Sequence, residues 1–216
     1  MFYRKWRLYH EVYLSKIIRP LQVHRYLHQV RDRKKPLFIH INRTGGTSIA
    51  HGLGITAIHH TFSEYEKLYQ RKFKEPIPLD IEVYASIRNP FDKVASEYKY
   101  RIKTNQNAMG SHPISFEAWV QKAYVDKDPE YRDRNIMFWP QLKWLEGSEA
   151  YTVKFLHFER LQKEYLELSE KFGGKDLPWK KKTDDTAYSS IYTEKAKNIV
   201  SKVFKSDLET FNYNYS

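Results

Sequence analysis

Cysteine is absent from this chain of 216 residues, and long apolar runs are absent as well. Without cysteine, the sequence excludes a disulfide scaffold, a thiolate metal site and catalysis by a cysteine nucleophile. No stretch approaches the roughly 18 continuous apolar residues of a transmembrane helix, and the N-terminus lacks the apolar core of a signal peptide. The sequence as it stands therefore predicts a soluble protein, and a reducing cytoplasm is compatible with its lack of cysteine.

Acidic residues are fewer than basic ones, and the imbalance is local. The chain carries 37 Lys and Arg against 26 Asp and Glu, a formal net charge of +11. Ten of the basic and two of the acidic residues lie in residues 1–35, which leaves 27 against 24 in residues 36–216. We therefore predict a basic N-terminal segment over residues 1–35 and one domain over residues 36–216. A nucleic-acid partner is not indicated for this domain, whereas one local site for an anionic nucleotide is compatible with it.

The N-terminal segment has the periodicity of an amphipathic helix. Apolar residues recur at steps of three and four, with basic residues between them, until Pro20 interrupts the pattern. The apolar positions are Trp6, Tyr9, Tyr13 and Ile17. Such a helix either packs its apolar stripe on the domain or lies peripherally on an anionic membrane surface, and packing on the domain is favoured.

Short apolar runs alternate with helical patterns through the rest of the chain. Strands are predicted over residues 36–41, 81–87 and 151–158. A Gly-Gly turn follows the first, Asn89 and Pro90 suit a helix start after the second, and an amphipathic stretch ending at Gly173 follows the third. This alternation predicts a three-layer α/β fold around a central parallel sheet.

The turn after the first predicted strand has the form of a phosphate-binding site. It reads RTGGTS at residues 43–48 and opens the following helix. Backbone N–H groups and the positive end of the helix converge at such a turn. It is not a Walker A loop, because no lysine precedes the final hydroxyl residues. A kinase or NTPase is correspondingly disfavoured.

The second predicted strand ends in a different pattern, RNPFDKVASEY, at residues 88–98. Arg88 stands at the strand end, and Ser96 follows two helical turns later. A guanidinium fork and a directed hydroxyl can together hold a second phosphate. Two phosphate sites on neighbouring strands predict one ligand that carries two separated phosphates.

Both patterns resemble motifs of one family, the PAPS-dependent carbohydrate sulfotransferases, where PAPS is 3′-phosphoadenosine 5′-phosphosulfate. HINRTGGTSI, at residues 40–49, resembles their 5′-phosphosulfate loop, commonly written HIPKTGGTSL. RNPFDKVASEY resembles their 3′-phosphate motif, RNPxDRxxSxY. The similarity continues in HHTFSEY, FWPQLKWL and FERLQKEYLELSEKFG, and it covers nearly everything from residue 36 onward.

The resemblance implies a P-loop-like sulfotransferase fold and transfer of a sulfuryl group from PAPS to a hydroxyl acceptor, with a glycan favoured and PAP as the second product. It implies that Arg88 and Ser96 hold the 3′-phosphate and that the first turn holds the 5′-phosphosulfate. The residues of that turn are Thr44, Gly45, Gly46, Thr47 and Ser48. No metal is expected, since sulfuryl transfer needs no bridging ion. A Golgi-lumen location follows instead of a cytoplasmic one if the chain is an excised fragment.

A base must accept the proton of the acceptor hydroxyl, and His59 and His60 are the candidates. The family has a histidine in a similar HxT context, which favours His59. Adjacent side chains point in different directions, so at most one of the two is expected to face the sulfur. The alternative that both are structural or surface residues stays open.

Arg43 departs from the family pattern, which has a lysine here. That lysine is expected to neutralise charge on the bridging oxygen of the leaving phosphate, and we expect Arg43 to take this role. A guanidinium keeps the charge but replaces a compact ammonium with a wide fork. This departure leaves open a protein that binds PAP or PAPS without efficient transfer. The basic charge of residues 1–35 leaves open a second alternative, a protein that binds polyanions or a membrane surface through that segment.

Overall fold

The computed structural model describes residues 19–132, 134–177 and 188–215, so the predicted helix around Trp6 to Ile17 lies outside the described residues. At its centre is a three-stranded parallel sheet. The strands are β1 (Leu37–Ile39), β2 (Val83–Ile87) and β3 (Val153–His157), in the order β1-β2-β3. The predicted α/β class with a parallel sheet is confirmed in this part of the chain.

Eight α-helices occur among the described residues. They are α1 (Arg19–Arg31), α2 (Gly46–Leu53), α3 (Phe62–Phe73), α4 (Pro90–Lys103), α5 (Phe116–Val120), α6 (Leu161–Phe172), α7 (Glu194–Val203) and α8 (Lys205–Thr210). Within the same residues, no helix is both long enough and apolar enough to cross a membrane.

Local sequence signals fix the ends of the helices that flank the sheet. The side chain of Asn89 accepts the N–H of Phe91 at 3.1 Å, and Pro90 is the first residue of α4. Gly173 ends α6 with φ of 64°, a left-handed conformation that glycine adopts without strain. The helix start predicted at Asn89 and Pro90 and the helix end predicted at Gly173 are both confirmed.

Side chains of the strands point alternately to two apolar clusters, one on each face of the sheet. Leu37 and Ile39 of β1 belong to the larger cluster, together with residues of α1, α3 and α4. Phe38, between them, belongs to the smaller cluster with Ile49 of α2 and Tyr165 of α6. Helices therefore cover both faces of the sheet and hold its edge, where the strands end, in place.

Helix α1 is not predicted as a separate element by the patterns above, although its apolar residues have helical spacing. Leu27 and Val30 are buried in the larger cluster. The hydroxyl of Tyr26 donates to the carbonyl of Pro36 and accepts the N–H of Phe38, both at 2.7 Å. These contacts join residues 19–31 to the same core as the sheet. The predicted boundary at residue 35 stays a prediction.

Candidate functional site

A cavity of about 500 Å³ lies at the edge of the sheet where the three strands end. Arg43 follows β1, Arg88 follows β2 and Phe158 follows β3, and all three line this cavity. Parallel strands place their carboxyl ends at one edge, and ligands of open α/β sheets bind there. The cavity is therefore the candidate functional site.

Eight of the ten residues predicted for a site line this one cavity. They are Arg43, Gly45, Gly46, Thr47, Ser48, His59, Arg88 and Ser96. Thr44 and His60 are not among the lining residues. The two sequence motifs, separated by about 40 residues in the chain, thus meet at one place in the fold.

The glycines of the first turn are needed because neighbouring side chains leave no room for a Cβ atom. A Cβ on Gly46 would lie 2.0 Å from Cδ2 of His40, and one on Gly45 would lie 2.6 Å from Cδ2 of Leu161. Gly45 also has φ of 82°. Both glycines line the cavity, and the turn leads directly into α2, the arrangement in which N–H groups at a helix start bind anions.

Thr44 has its side chain directed into the protein. It is fully buried, and its hydroxyl donates to the carbonyl of Ile41 at 2.9 Å and lies 2.6 Å from the hydroxyl of Ser86 in β2. This contact ties the first turn to the neighbouring strand. Because its side chain is engaged within the protein, Thr44 could contact a ligand in the cavity only through its backbone.

Arg43 holds a left-handed conformation, with φ of 63°, which is uncommon for a residue other than glycine. Its Nε and Nη2 donate to the hydroxyl of Ser96 at 3.1 and 2.9 Å, and its guanidinium lies 4.6 Å from the ring centroid of Tyr100. The side chain of Arg43, in the first turn, thus contacts α4, the helix that follows the second turn. Burial lowers the pKa of Arg43, and the neighbouring charge of Arg88 lowers it further.

Arg88 is held by its backbone and by aromatic rings. The backbone N–H of Arg88 donates to Oε1 of Gln141 at 2.9 Å, and Nε2 of Gln141 donates to the backbone carbonyl of Arg88 at 2.9 Å. The guanidinium lies 4.0 Å from the ring centroid of Phe158 and is 5.3 Å from that of Tyr188. Its Nε is buried without a hydrogen-bond partner in the described part of the chain. A buried donor of this kind is costly unless a ligand satisfies it.

His59 is held by a contact between its ring and the backbone. Its Nδ1 lies 2.8 Å from the carbonyl oxygen of His40, and because a carbonyl only accepts, Nδ1 carries the proton. The neutral ring therefore keeps its lone pair on Nε2. Burial lowers the pKa of His59 below its ordinary value of 6.5, although the bond to His40 partly offsets this effect. His59 is consequently neutral at pH 7.

His40 and His60 differ from His59 in their surroundings. His40 is buried under the first turn, its ring centroid 4.1 Å from that of His59, and burial lowers its pKa to about 3. His60 lies 3.4 Å from a carboxylate oxygen of Glu64 and faces a second cavity. Of the adjacent pair His59 and His60, only His59 lies in the wall of the first cavity, which His40 also lines.

Further residues that were not predicted as site residues also line the cavity, among them Glu97, Tyr100 and Arg134. Tyr100 could have been found, because it follows Ser96 by one helical turn on the same face of α4. Glu97 accepts from Arg101 Nε at 2.8 Å and from Asn42 Nδ2 at 3.3 Å, so its charge is compensated. Arg134 lies in a segment without a local pattern, and no sequence signal identifies it.

Comparisons with models of protein families, with curated proteins and with solved structures find no match to the chain. The chemistry of the site therefore has to be inferred from its own residues. These include a glycine turn at a helix start, four arginines, several hydroxyl groups and a neutral imidazole around one cavity. Such a set can bind a ligand with two anionic groups and can accept a proton beside it.

Proposed function

We propose that the chain is a sulfotransferase that moves a sulfuryl group from PAPS to a hydroxyl acceptor, within a P-loop-like sulfotransferase fold. The observation that carries the proposal is the meeting of the RTGGTS turn with Arg88 and Ser96 around one cavity. A donor with phosphates at both the 5′ and 3′ positions needs two anion sites at a fixed separation. The resemblance of both segments to motifs of the PAPS-dependent family supports the same interpretation.

The residues present fit such a donor. The guanidinium groups of Arg43 and Arg88 both line the cavity, and an anion bound between them would interact favourably with both. The unpartnered Nε of Arg88 supplies a donor for it. A phosphosulfate would lie at the turn before α2, where Gly45 and Gly46 line the cavity. The 3′-phosphate would lie at Arg88 and Ser96.

In the proposed reaction, Nε2 of His59 accepts the proton of the acceptor hydroxyl. The acceptor oxygen then forms a bond to sulfur, while the bond from sulfur to the oxygen of the 5′-phosphate breaks and PAP leaves. Negative charge develops on that phosphate oxygen, and the backbone of the first turn and Arg43 are the groups that can stabilise it. The tautomer fixed by the His40 carbonyl supports the role of His59.

A second candidate function is nucleotide binding without efficient transfer, and the position of the Arg43 side chain favours it. Both partners of its guanidinium, Ser96 and Tyr100, belong to α4. The Arg43 guanidinium therefore lies toward the predicted 3′-phosphate site. It would have to leave Ser96 and Tyr100 to reach the oxygen of the leaving phosphate.

The test is to incubate the purified chain with PAPS and a mixture of glycans and to measure release of PAP. Sulfotransfer predicts acceptor-dependent release together with a sulfated product. Binding without transfer predicts that PAP raises the thermal midpoint while no product forms. If PAPS and PAP neither bind nor react, both candidates are wrong.

A further inference from the structure

A second cavity, of about 700 Å³, adjoins the first and shares His59 and Arg134 with it. One imidazole therefore lies in the wall of both spaces. A group in the second cavity can reach the same ring that borders the candidate donor site. The hydroxyl acceptor must approach the base from a space that the donor does not fill, and the second cavity has the required position.

The inner wall of the second cavity is apolar. Aliphatic side chains line it from three places: Val23 and Leu27 from α1, Ile58 from the segment before α3, and Leu68 from α3 itself. A bare sugar pressed against this wall would leave hydroxyl groups without hydrogen-bond partners, which is costly. An alkyl, acyl or aryl group gains free energy from the same contact. The wall therefore favours an acceptor with an apolar body.

The rim of the second cavity is basic. His24, Arg71, Lys72 and Arg134 line it, and no carboxylate is among its lining residues in the described part of the chain. The neighbouring Glu64 is already engaged, because its carboxylate accepts the N–H of Thr61 at 2.8 Å. This charge pattern is complementary to an anionic group on the bound molecule.

We propose that the second cavity is the acceptor site and that the acceptor is an anionic amphiphile. Its hydroxyl lies at Nε2 of His59, its apolar body contacts α1 and α3, and its anionic group meets the basic rim. This proposal rests on the proposed sulfotransferase function. Residues 1–18 of the chain are a poorer candidate occupant, because four of them are basic and only Glu11 is acidic, so their charge does not complement the rim.

Three matched acceptors test the proposal, all used below their micellar concentrations. Octyl β-glucuronide carries hydroxyls, an apolar chain and a carboxylate, octyl β-glucoside lacks the carboxylate, and methyl β-glucuronide lacks the chain. Calorimetry with the full chain saturated by PAP measures binding apart from turnover. We expect octyl β-glucuronide to bind at least about tenfold more tightly than either of the others. Methyl β-glucuronide lacks the methylene groups that become buried, and octyl β-glucoside lacks the carboxylate that meets the basic rim.

Variants of residues that line the second cavity test whether the acceptors bind there. Leu68→Gln should remove the advantage of the octyl chain, and Arg71→Gln should weaken the two glucuronides but not the glucoside. The matched controls, exposed Leu166→Gln on α6 and exposed Arg25→Gln on α1, lie outside the cavity lining and should behave as the parent. Since Leu68 is partly buried, Ala57→Glu serves as a second variant. Ala57 is exposed and lines the same cavity, and the new carboxylate should weaken binding of the glucuronides alone.

Equal binding of the three acceptors would overturn the proposal, as would equal binding by parent and cavity variants. Absence of saturable binding, the result expected if residues 1–18 cover the cavity, would overturn it as well. PAP binding without any acceptor separates these failures from failure of the proposed function. If PAP binds and the acceptors do not discriminate, only the acceptor proposal is lost.

Discussion

The turn after β1 and the turn after β2 border the same cavity, but they are built differently. The first is a glycine turn, with Arg43 and Gly45 in left-handed conformations. The second is a capped helix start that presents side chains, and Gln141 fixes the backbone of Arg88 from both sides. Bare backbone permits close approach to a reacting group, whereas long side chains can anchor a distant one. In the proposed function, the first turn therefore serves the reaction and the second serves affinity.

The largest effect is expected at His59, the proposed base beside the first turn. His59→Ala should lower turnover by roughly 10² to 10⁴, the usual contribution of a general base, and should leave the affinity for PAP nearly unchanged. His60→Ala should be milder, because His60 lies outside the first cavity. Steady-state kinetics with calorimetry of PAP binding would check this, and the reverse order of the two variants would identify His60 as the base.

A variant of Arg43 best separates an effect on the reaction from an effect on donor binding. Arg43 belongs to the first turn, but its side chain donates to Ser96 of α4. Arg43→Ala should lower turnover by a factor on the order of 10² or more and weaken PAPS binding far less. Arg43→Lys should retain substantial activity, since it restores the residue that the family pattern contains. Equal turnover in parent and Arg43→Ala would remove Arg43 from the mechanism. An inactive parent with an active Arg43→Lys variant would favour binding without transfer.

Variants of Gly46 test whether the first turn requires a residue without a Cβ atom at this position. Gly46→Ala should lower the free energy of unfolding by about 1 to 3 kcal/mol, because its Cβ would overlap the ring of His40. The double variant Gly46→Ala with His40→Ala should recover part of that loss, since the ring is gone. Gly54→Ala is the control: its site has open space, so any strain from its φ of 64° should not change with His40. Denaturant unfolding of these variants measures the coupling, and a coupling of zero at Gly46 contradicts the steric explanation.

The smallest effect is the pH dependence of turnover. His59 acts as a base only when neutral, and burial lowers its pKa below 6.5. As the pH falls through that lowered pKa, Nε2 becomes protonated and turnover decreases. In the pH dependence of kcat/KM, which reports groups of the free enzyme, the acid limb should therefore lie below pH 6.5 and should disappear in His59→Ala. Circular dichroism at each pH would confirm that the chain remains folded, and an acid limb above 6.5 would contradict the assignment.

Much of the edge of the sheet could be predicted from local sequence. The apolar runs identify the strands, the Asn89 and Pro90 pair identifies a helix start, and Gly173 identifies a helix end. Each of these signals depends only on nearby residues. Parallel strands then bring the two motifs to one edge of the sheet.

Other features of the site depend on contacts between residues distant in the chain and could not be predicted. The inward side chain of Thr44 is fixed by Ser86, and the orientation of Arg43 is fixed by Ser96. Both contacts cross from the first motif to the strand or helix of the second. Their geometry is set only once the sheet has formed.

The most direct measurement compares PAP with adenosine 5′-phosphate, by calorimetry, in the parent and in Arg88→Ala. If the second turn anchors the 3′-phosphate, the parent should bind PAP more tightly by about 1.5 to 3 kcal/mol, the range for hydrogen bonds to charged groups. Arg88→Ala should lose most of this preference while its affinity for adenosine 5′-phosphate changes little. Equal affinity of the parent for both nucleotides, or an undiminished preference in Arg88→Ala, would contradict this anchoring role.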